Sequence, residues 1–147
     1  MAQYDFFIAG RWRNNGAIKE VLDLVRASGK TAYCFIDNAY VDEKVEFRAE
    51  QDAEAAMQKW EALSLDDPQV RKVFEIDMAG ERAAEAFLLV LPAGTAAHIE
   101  AGVAYGMGKK CYAVGEVEKT ESLYCIFDKI FPNNAALEAW LKEQKHG

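Results

Sequence analysis

The chain has 147 residues, of which 51% are apolar, the size of one ordinary domain and enough to bury a core without disulfide or metal staples. A formal net charge of −7 and a pI near 4.9 argue against a nucleic-acid polymer as partner, because that affinity is built from lysine and arginine neutralising phosphates. A small-molecule ligand is expected instead.

Tyr4 to Ala9 is a short aromatic-rich apolar run that stops at Gly10, the pattern of a buried strand followed by a tight turn. Ala17 to Ala27 sets Ile18, Val21, Leu22 and Val25 at helical spacing and ends at Ser28-Gly29, a carboxy-terminal stop. Thr31 to Ile36 reads as a second buried strand. From Val41 to Glu75 the chain becomes acidic and helical, with Ala49, Ala53, Met57 and Trp60 along one face, a loop at Ser64 to Pro68 and a short helix from Gln69 to Glu75. A further short helix is expected from Met78 to Glu85. Ala86 to Leu91 is an uninterrupted apolar strand ending at Pro92-Ala93-Gly94. A helix from about Ala97 to Met107, a strand from Lys110 to Val114, and a last helix after Asn133-Asn134 follow. Leu123 to Phe131 fits a helix or a strand equally well.

Strand and helix therefore alternate, which predicts a single doubly wound α/β domain. Its five-stranded parallel sheet is flavodoxin-like or Rossmann-like, with helices on both faces, and carries an acidic helical insertion at about 41–75. The three cysteines, Cys34, Cys111 and Cys125, have no CxxC spacing and are expected as buried thiols of a reducing cytoplasm. The opening MAQYDFFIAG lacks the basic flank and long apolar run of a signal peptide. No segment approaches the ~20 apolar residues of a membrane span, so neither export nor a membrane partner is expected.

In such a sheet ligands bind beyond the carboxyl ends of the strands, where the strand order reverses. That places two loops at the candidate site: Gly10 to Gly16 after the first strand, and Pro92 to Ala97 after the strand at 86–91. Gly10 allows close backbone approach, and Arg11 and Arg13 offer planar donors to phosphate or carboxylate, although both could equally cover the sheet edge beside Trp12. Gly94 and Thr95 lead into the helix that carries His98 and Glu100. A glutamate in a first helical turn is ordinarily a dipole-compensating surface acid, and His98 can be a packed imidazole. Asp77 immediately precedes the short helix before the third strand, where it is either a plain N-cap or a carboxylate facing Glu100 across the crevice. Two carboxylates beside a sugar suit glycosidic chemistry, one as nucleophile and one handling protons or orienting hydroxyls.

Taken together, Phe7-Ile8-Ala9-Gly10 with Arg13, Ile76-Asp77, and the string EAFLLVLPAGTAAHIEAGVAYGMGKKCYAVG from Glu85 to Gly115 resemble the nucleoside 2-deoxyribosyltransferase superfamily. That superfamily includes the 2-deoxynucleoside 5-monophosphate N-glycosidases. The resemblance implies that Glu100 is the nucleophile of a glycosyl-enzyme intermediate, with Asp77 assisting at base or sugar and Gly10 beneath the substrate. Arg13 and Thr95 would contact a 5-phosphate. It further implies cleavage or transfer at the N-glycosidic bond of a nucleoside or nucleotide, no metal and no organic cofactor, and a homodimer or larger homo-oligomer. The sequence departs from the family pattern at Phe7, where members often carry a tyrosine, and at Gly94-Thr95-Ala96-Ala97, which replaces a serine-glycine-rich loop. The rivals are a nucleotide-binding module without turnover and a glycohydrolase of NAD type.

Overall fold

The structure is a computed structural model that describes residues 3–37 and 58–144. Five strands, β1 (Tyr4–Ala9), β2 (Ala32–Cys34), β3 (Ala84–Val90), β4 (Lys110–Val114) and β5 (Lys129–Phe131), form one sheet in the order β2-β1-β3-β4-β5. Every neighbouring pair is parallel. Among the described residues four long helices accompany them: α1 (Asn15–Ala27), α2 (Pro68–Ala83), α3 (Thr95–Gly106) and α4 (Asn134–Gln144). The doubly wound α/β architecture expected from the sequence is thus present.

Strand alternation sorts the core into two layers, since successive side chains leave a strand on opposite faces. Phe6 and Ile8 of β1 and Leu88 and Val90 of β3 pack with Ile18, Val21, Leu22 and Val25 of α1 and with Leu137 and Leu141 of α4. Phe7, Ala9, Phe87 and Leu89 face the other way, onto Ala97, Ala101 and Ala104 of α3. Alanine at these three α3 positions brings the helix axis close to the sheet, and the space a larger side chain would fill is taken by Phe7 and Phe87, whose rings stack at 5.7 Å.

Several boundaries differ from the sequence-based expectation. The two short helices expected around Asp77 are one continuous helix, α2, whose N-cap is Asp67: its carboxylate accepts from the Gln69 amide at 2.8 Å, with Pro68 at the first helical position. Both features are strong start signals, and the acidic charge that masks apolar periodicity farther along the helix does not interrupt it. Glu85 consequently belongs to β3. The segment at 123–131 is both things it could be in turn: a 3-10 helix at Ser122–Ile126, then β5. Residues 38–57, which hold the first half of the expected acidic insertion, lie outside the described residues; 58–61 are helical. Cys34 and Cys111 are buried as expected, but Cys125 is exposed, because its turn of 3-10 helix buries no residue.

Candidate active site

Chain order and sheet order together fix where a crevice opens. From β1 the chain crosses by α1 to β2 on one side, then returns past β1 to β3 on the other. The loops after β1 and β3 therefore leave neighbouring strands in different directions, the arrangement that opens a ligand cleft at the carboxyl edge of a parallel sheet. The two loops predicted to meet there do meet. The Asn14 side-chain amide donates to the Pro92 carbonyl at 3.4 Å, and a methyl group added at Gly94 would stand 3.8 Å from the Arg11 Cβ.

Within this edge the predicted residues have different situations. Gly10 owes its identity to packing: a Cβ there would come within 2.8 Å of the Ile18 side chain and 3.3 Å of the Val90 carbonyl. Arg11 is exposed. Arg13 is engaged in a fork-to-fork pair, Nη1 to Glu61 Oε2 at 3.2 Å and Nη2 to Glu61 Oε1 at 3.0 Å. Gly94 is the N-cap of α3 and has no side chain to satisfy the first-turn amides; Thr95, exposed, is the first helical residue. With Ala93, His98 and Ile99 these two line an open depression of about 510 Å³ at a helix amino terminus, where the partial positive charge favours anionic or electron-rich groups.

His98 is tied at both ring nitrogens. Nδ1 lies 2.8 Å from the Gly94 carbonyl, to which it can only donate, and Nε2 lies 3.1 Å from the Tyr124 hydroxyl. The first contact assigns the neutral ring its Nδ1–H tautomer and leaves Nε2 to accept from the tyrosine. His98 thus pins the 3-10 turn at Ser122–Ile126 to the start of α3.

Glu100 lies in the second turn of α3, one turn deeper than expected, because the helix begins at Thr95. It is half-buried, and its proton affinity is held well above the ordinary carboxylate range, first by desolvation, then by the negative charges of Asp77 and Glu81. Asp77 is correspondingly not an N-cap. It sits in the third turn of α2, near enough to Glu100 for its charge to be felt there. Both carboxylates stand in the middle rather than at the start of their helices, and the negative charge of Asp77 acts on Glu100.

Two residues belong to this cluster that the sequence does not single out. Tyr33 on β2 is paired in register with Phe7 on β1, and its hydroxyl donates to Asp77 Oδ1 at 3.0 Å. Its ring stacks on Phe7 at 5.2 Å and meets Tyr4 edge-on at 5.8 Å. Gly80 lets it through: a Cβ at that position would lie 2.9 Å from three ring atoms of Tyr33. Position 7 of β1 is a phenylalanine, and the hydroxyl at the register position beside it comes from Tyr33 on the adjacent strand and is directed to Asp77. The second residue, Glu81, follows Asp77 by one helical turn and is fully buried. The signal for Tyr33 is its place midway along an apolar strand, legible only once β1 and β2 are known to be neighbours.

Among the described residues no group of three or more His, Cys, Asp or Glu side chains is arranged to hold a metal ion, and no helix is long and apolar enough to cross a membrane.

Solved structures share this arrangement of strands and helices. One of them is the 2-deoxyribosyltransferase of the psychrotolerant bacterium Bacillus psychrosaccharolyticus, described as a biocatalyst for the synthesis of antiviral and antitumoral nucleosides. It superposes with a TM-score of 0.63 at 16% sequence identity, over 92% of this chain and 94% of that one. The fold is that of a 2-deoxyribosyltransferase. The two chains correspond over nearly their whole lengths, so the deoxyribosyltransferase fold accounts for the full set of strands rather than a shared fragment. No family model matches the sequence, and no curated protein matches it.

Proposed function

We propose that this protein cleaves or transfers across the N-glycosidic bond of a nucleoside, with Glu100 as nucleophile and Asp77 as its partner. The observation that supports this is a desolvated Glu100 on α3 that feels the negative charge of Asp77 on α2, with Asp77 itself held by the Tyr33 hydroxyl. In the reaction a Glu100 carboxylate oxygen bonds to the anomeric carbon as the carbon–nitrogen bond breaks. The electron pair leaves with the base, which takes up a proton, and a glycosyl ester remains on Glu100. Attack by water completes a hydrolysis; attack by a second base completes a transfer. Asp77, fixed by the Tyr33 hydroxyl, is suited to orient the base or a sugar hydroxyl. Desolvation of Glu100 makes its carboxylate form a stronger nucleophile, while requiring a pH high enough to ionise it.

The substrate is a small nucleoside or nucleotide, and neither step calls for a metal or organic cofactor. Self-association is part of the proposal, through the outer face of α3, where Ile99 and Tyr105 are 61% and 58% exposed.

The test is chromatographic detection of free base after incubation with deoxynucleosides, their 5-monophosphates, ribonucleosides and NAD, with and without an acceptor base. Base release that disappears in Glu100→Ala supports the proposal. Release of nicotinamide alone would move it to a glycohydrolase of NAD type. Ligand-induced stabilisation without any product would leave a binding module.

A further inference from the structure

Glu81 is the least expected side chain in the molecule. It is 0% exposed, it is the buried charged side chain among the described residues, and neither of its carboxylate oxygens has a hydrogen-bond partner. Burying an ionisable group without partners is costly, and such groups in native proteins call for a reason. Packing alone does not supply one, since an apolar side chain of the same volume would fill the space with less penalty.

Its neighbours supply the reason. Asp77 stands one turn earlier on α2, so the two carboxylates project from the same helical face. The Gly80 notch between them holds the Tyr33 ring, whose hydroxyl donates to Asp77. From α3, Glu100 is close enough to feel the charge of both. From the approach to β4, Lys109 acts in the opposite sense on Glu81, but its ammonium is committed to the Ala84 and Arg82 carbonyls. Cys111 on β4 completes the surroundings and is itself a thiol raised to about 11, chiefly by desolvation.

We propose that Glu81 is a positioning residue for the reaction at Glu100: buried behind Asp77, its charge sets the pH at which Glu100 becomes the carboxylate that can attack. This rests on the assignment of Glu100 as nucleophile and goes beyond it. Burial and Asp77 push Glu81 up to about 7, with Lys109 opposing, and Glu100 is raised in the same direction by desolvation and by the charges of Asp77 and Glu81. The two groups titrate as a coupled pair, with steps that belong to the pair rather than to either residue.

The experiment combines two readouts on Glu81→Gln, which keeps the shape and removes the charge, and on Glu81→Met, which also removes the polar group. Carboxyl carbon NMR titration of the whole protein, with Glu100 identified from Glu100→Gln, needs no substrate. In the unaltered protein the Glu100 signal should titrate in a broad or two-step curve above the ordinary carboxylate range. In both variants it should become a single step displaced to lower pH by about half a pH unit or more. The acid limb of kcat/KM for base release should move the same way, so that activity at its acid edge rises about threefold. A Glu100 titration unchanged by either substitution would overturn the proposal, as would a stability change with no movement of the titration. Absence of base release from every substrate would instead remove the proposed reaction, and the proposal with it, even where the titrations remain coupled.

Discussion

The hydroxyl of Tyr33 and the carboxyl of Glu81 bound Asp77 on two sides, and each makes a separate prediction. Tyr33→Phe keeps the ring stacked on Phe7 and removes only the bond to Asp77. A hydrogen bond to a charged group contributes about 1.5–3 kcal/mol, so the melting temperature should fall by several degrees, and kcat/KM should fall about tenfold or more as Asp77 loses its orientation. Equal activity would exclude Asp77 orientation as a contributor. Gly80→Ala tests the same pair from the other side: its methyl would stand 2.9 Å from the Tyr33 ring, displacing the ring. It should cost about 1–3 kcal/mol, as overpacking does, together with the activity lost in Tyr33→Phe. For Glu81 the sign follows from its raised affinity for the proton. A group taken from 4.5 to about 7 on folding holds a proton in the folded state that the unfolded chain has released. The associated stability is therefore complete below about 4.5 and lost as pH rises through about 7. Each tenfold difference in proton affinity corresponds to about 1.4 kcal/mol, so the loss is on the order of 3 kcal/mol. Urea unfolding at several pH values should show this fall in the unaltered protein and a flatter profile in Glu81→Gln. Parallel profiles would mean that Glu81 does not titrate in this range.

At the scale of elements, the strands were the most legible part of the chain. Tyr4–Ala9 and Lys110–Val114 have the bounds their apolar runs predict, because an apolar run between turn residues in a parallel sheet is marked on both faces. Helix α2 was not legible in the same way. It carries Arg71, Lys72, Glu75, Asp77, Glu81 and Arg82, and the two residues it buries are Gly80 and Glu81, so no apolar stripe announces it. That is also why Asp77 was expected at a helix start and is found in a helix middle. Asp77 and Glu100, the carboxylates of the proposed reaction, could be named as candidates from the sequence by their place near the switch in strand order. Tyr33 and Glu81 could not, because their roles depend on register between strands and on packing between helices. The pair between Arg13 and Glu61, likewise invisible in the sequence, bears on substrate choice. A 5-phosphate directed to Arg13 must displace a carboxylate that occupies both arms of the guanidinium. The unaltered protein should therefore favour the unphosphorylated nucleoside. Glu61→Gln should shift the ratio of kcat/KM values toward the 5-monophosphate by about threefold to tenfold, as expected for release of a partly exposed charge-assisted pair. An unchanged ratio would place the phosphate away from Arg13.

For the whole molecule the question is what covers α3. One side of this helix lies on the sheet through Ala97, Ala101 and Ala104. The other side offers no charged residue to water along Ile99, Gly102, Tyr105 and Gly106; a Cβ added at either glycine would meet nothing within 4 Å. A helix that is apolar on its outer side as well as its inner one is normally covered on both, and glycines on the outer face allow a second helix to approach closely. The proposed self-association assigns that face to a second copy of this chain. Such an interface would also border the depression lined by Thr95, His98 and Ile99, so that assembly and substrate access are linked. Light scattering coupled to size-exclusion chromatography should therefore give a mass of twice the chain's 16.4 kDa or a larger multiple. Ile99→Glu should dissociate it, since burying an unpaired carboxylate at a contact costs more than the contact returns. The same variant should retain its fold, because Ile99 touches water rather than the core, and should lose substrate affinity if the partner copy walls the depression. A monomeric mass for the unaltered protein would mean that α3 stands open and that the crevice is complete within one chain.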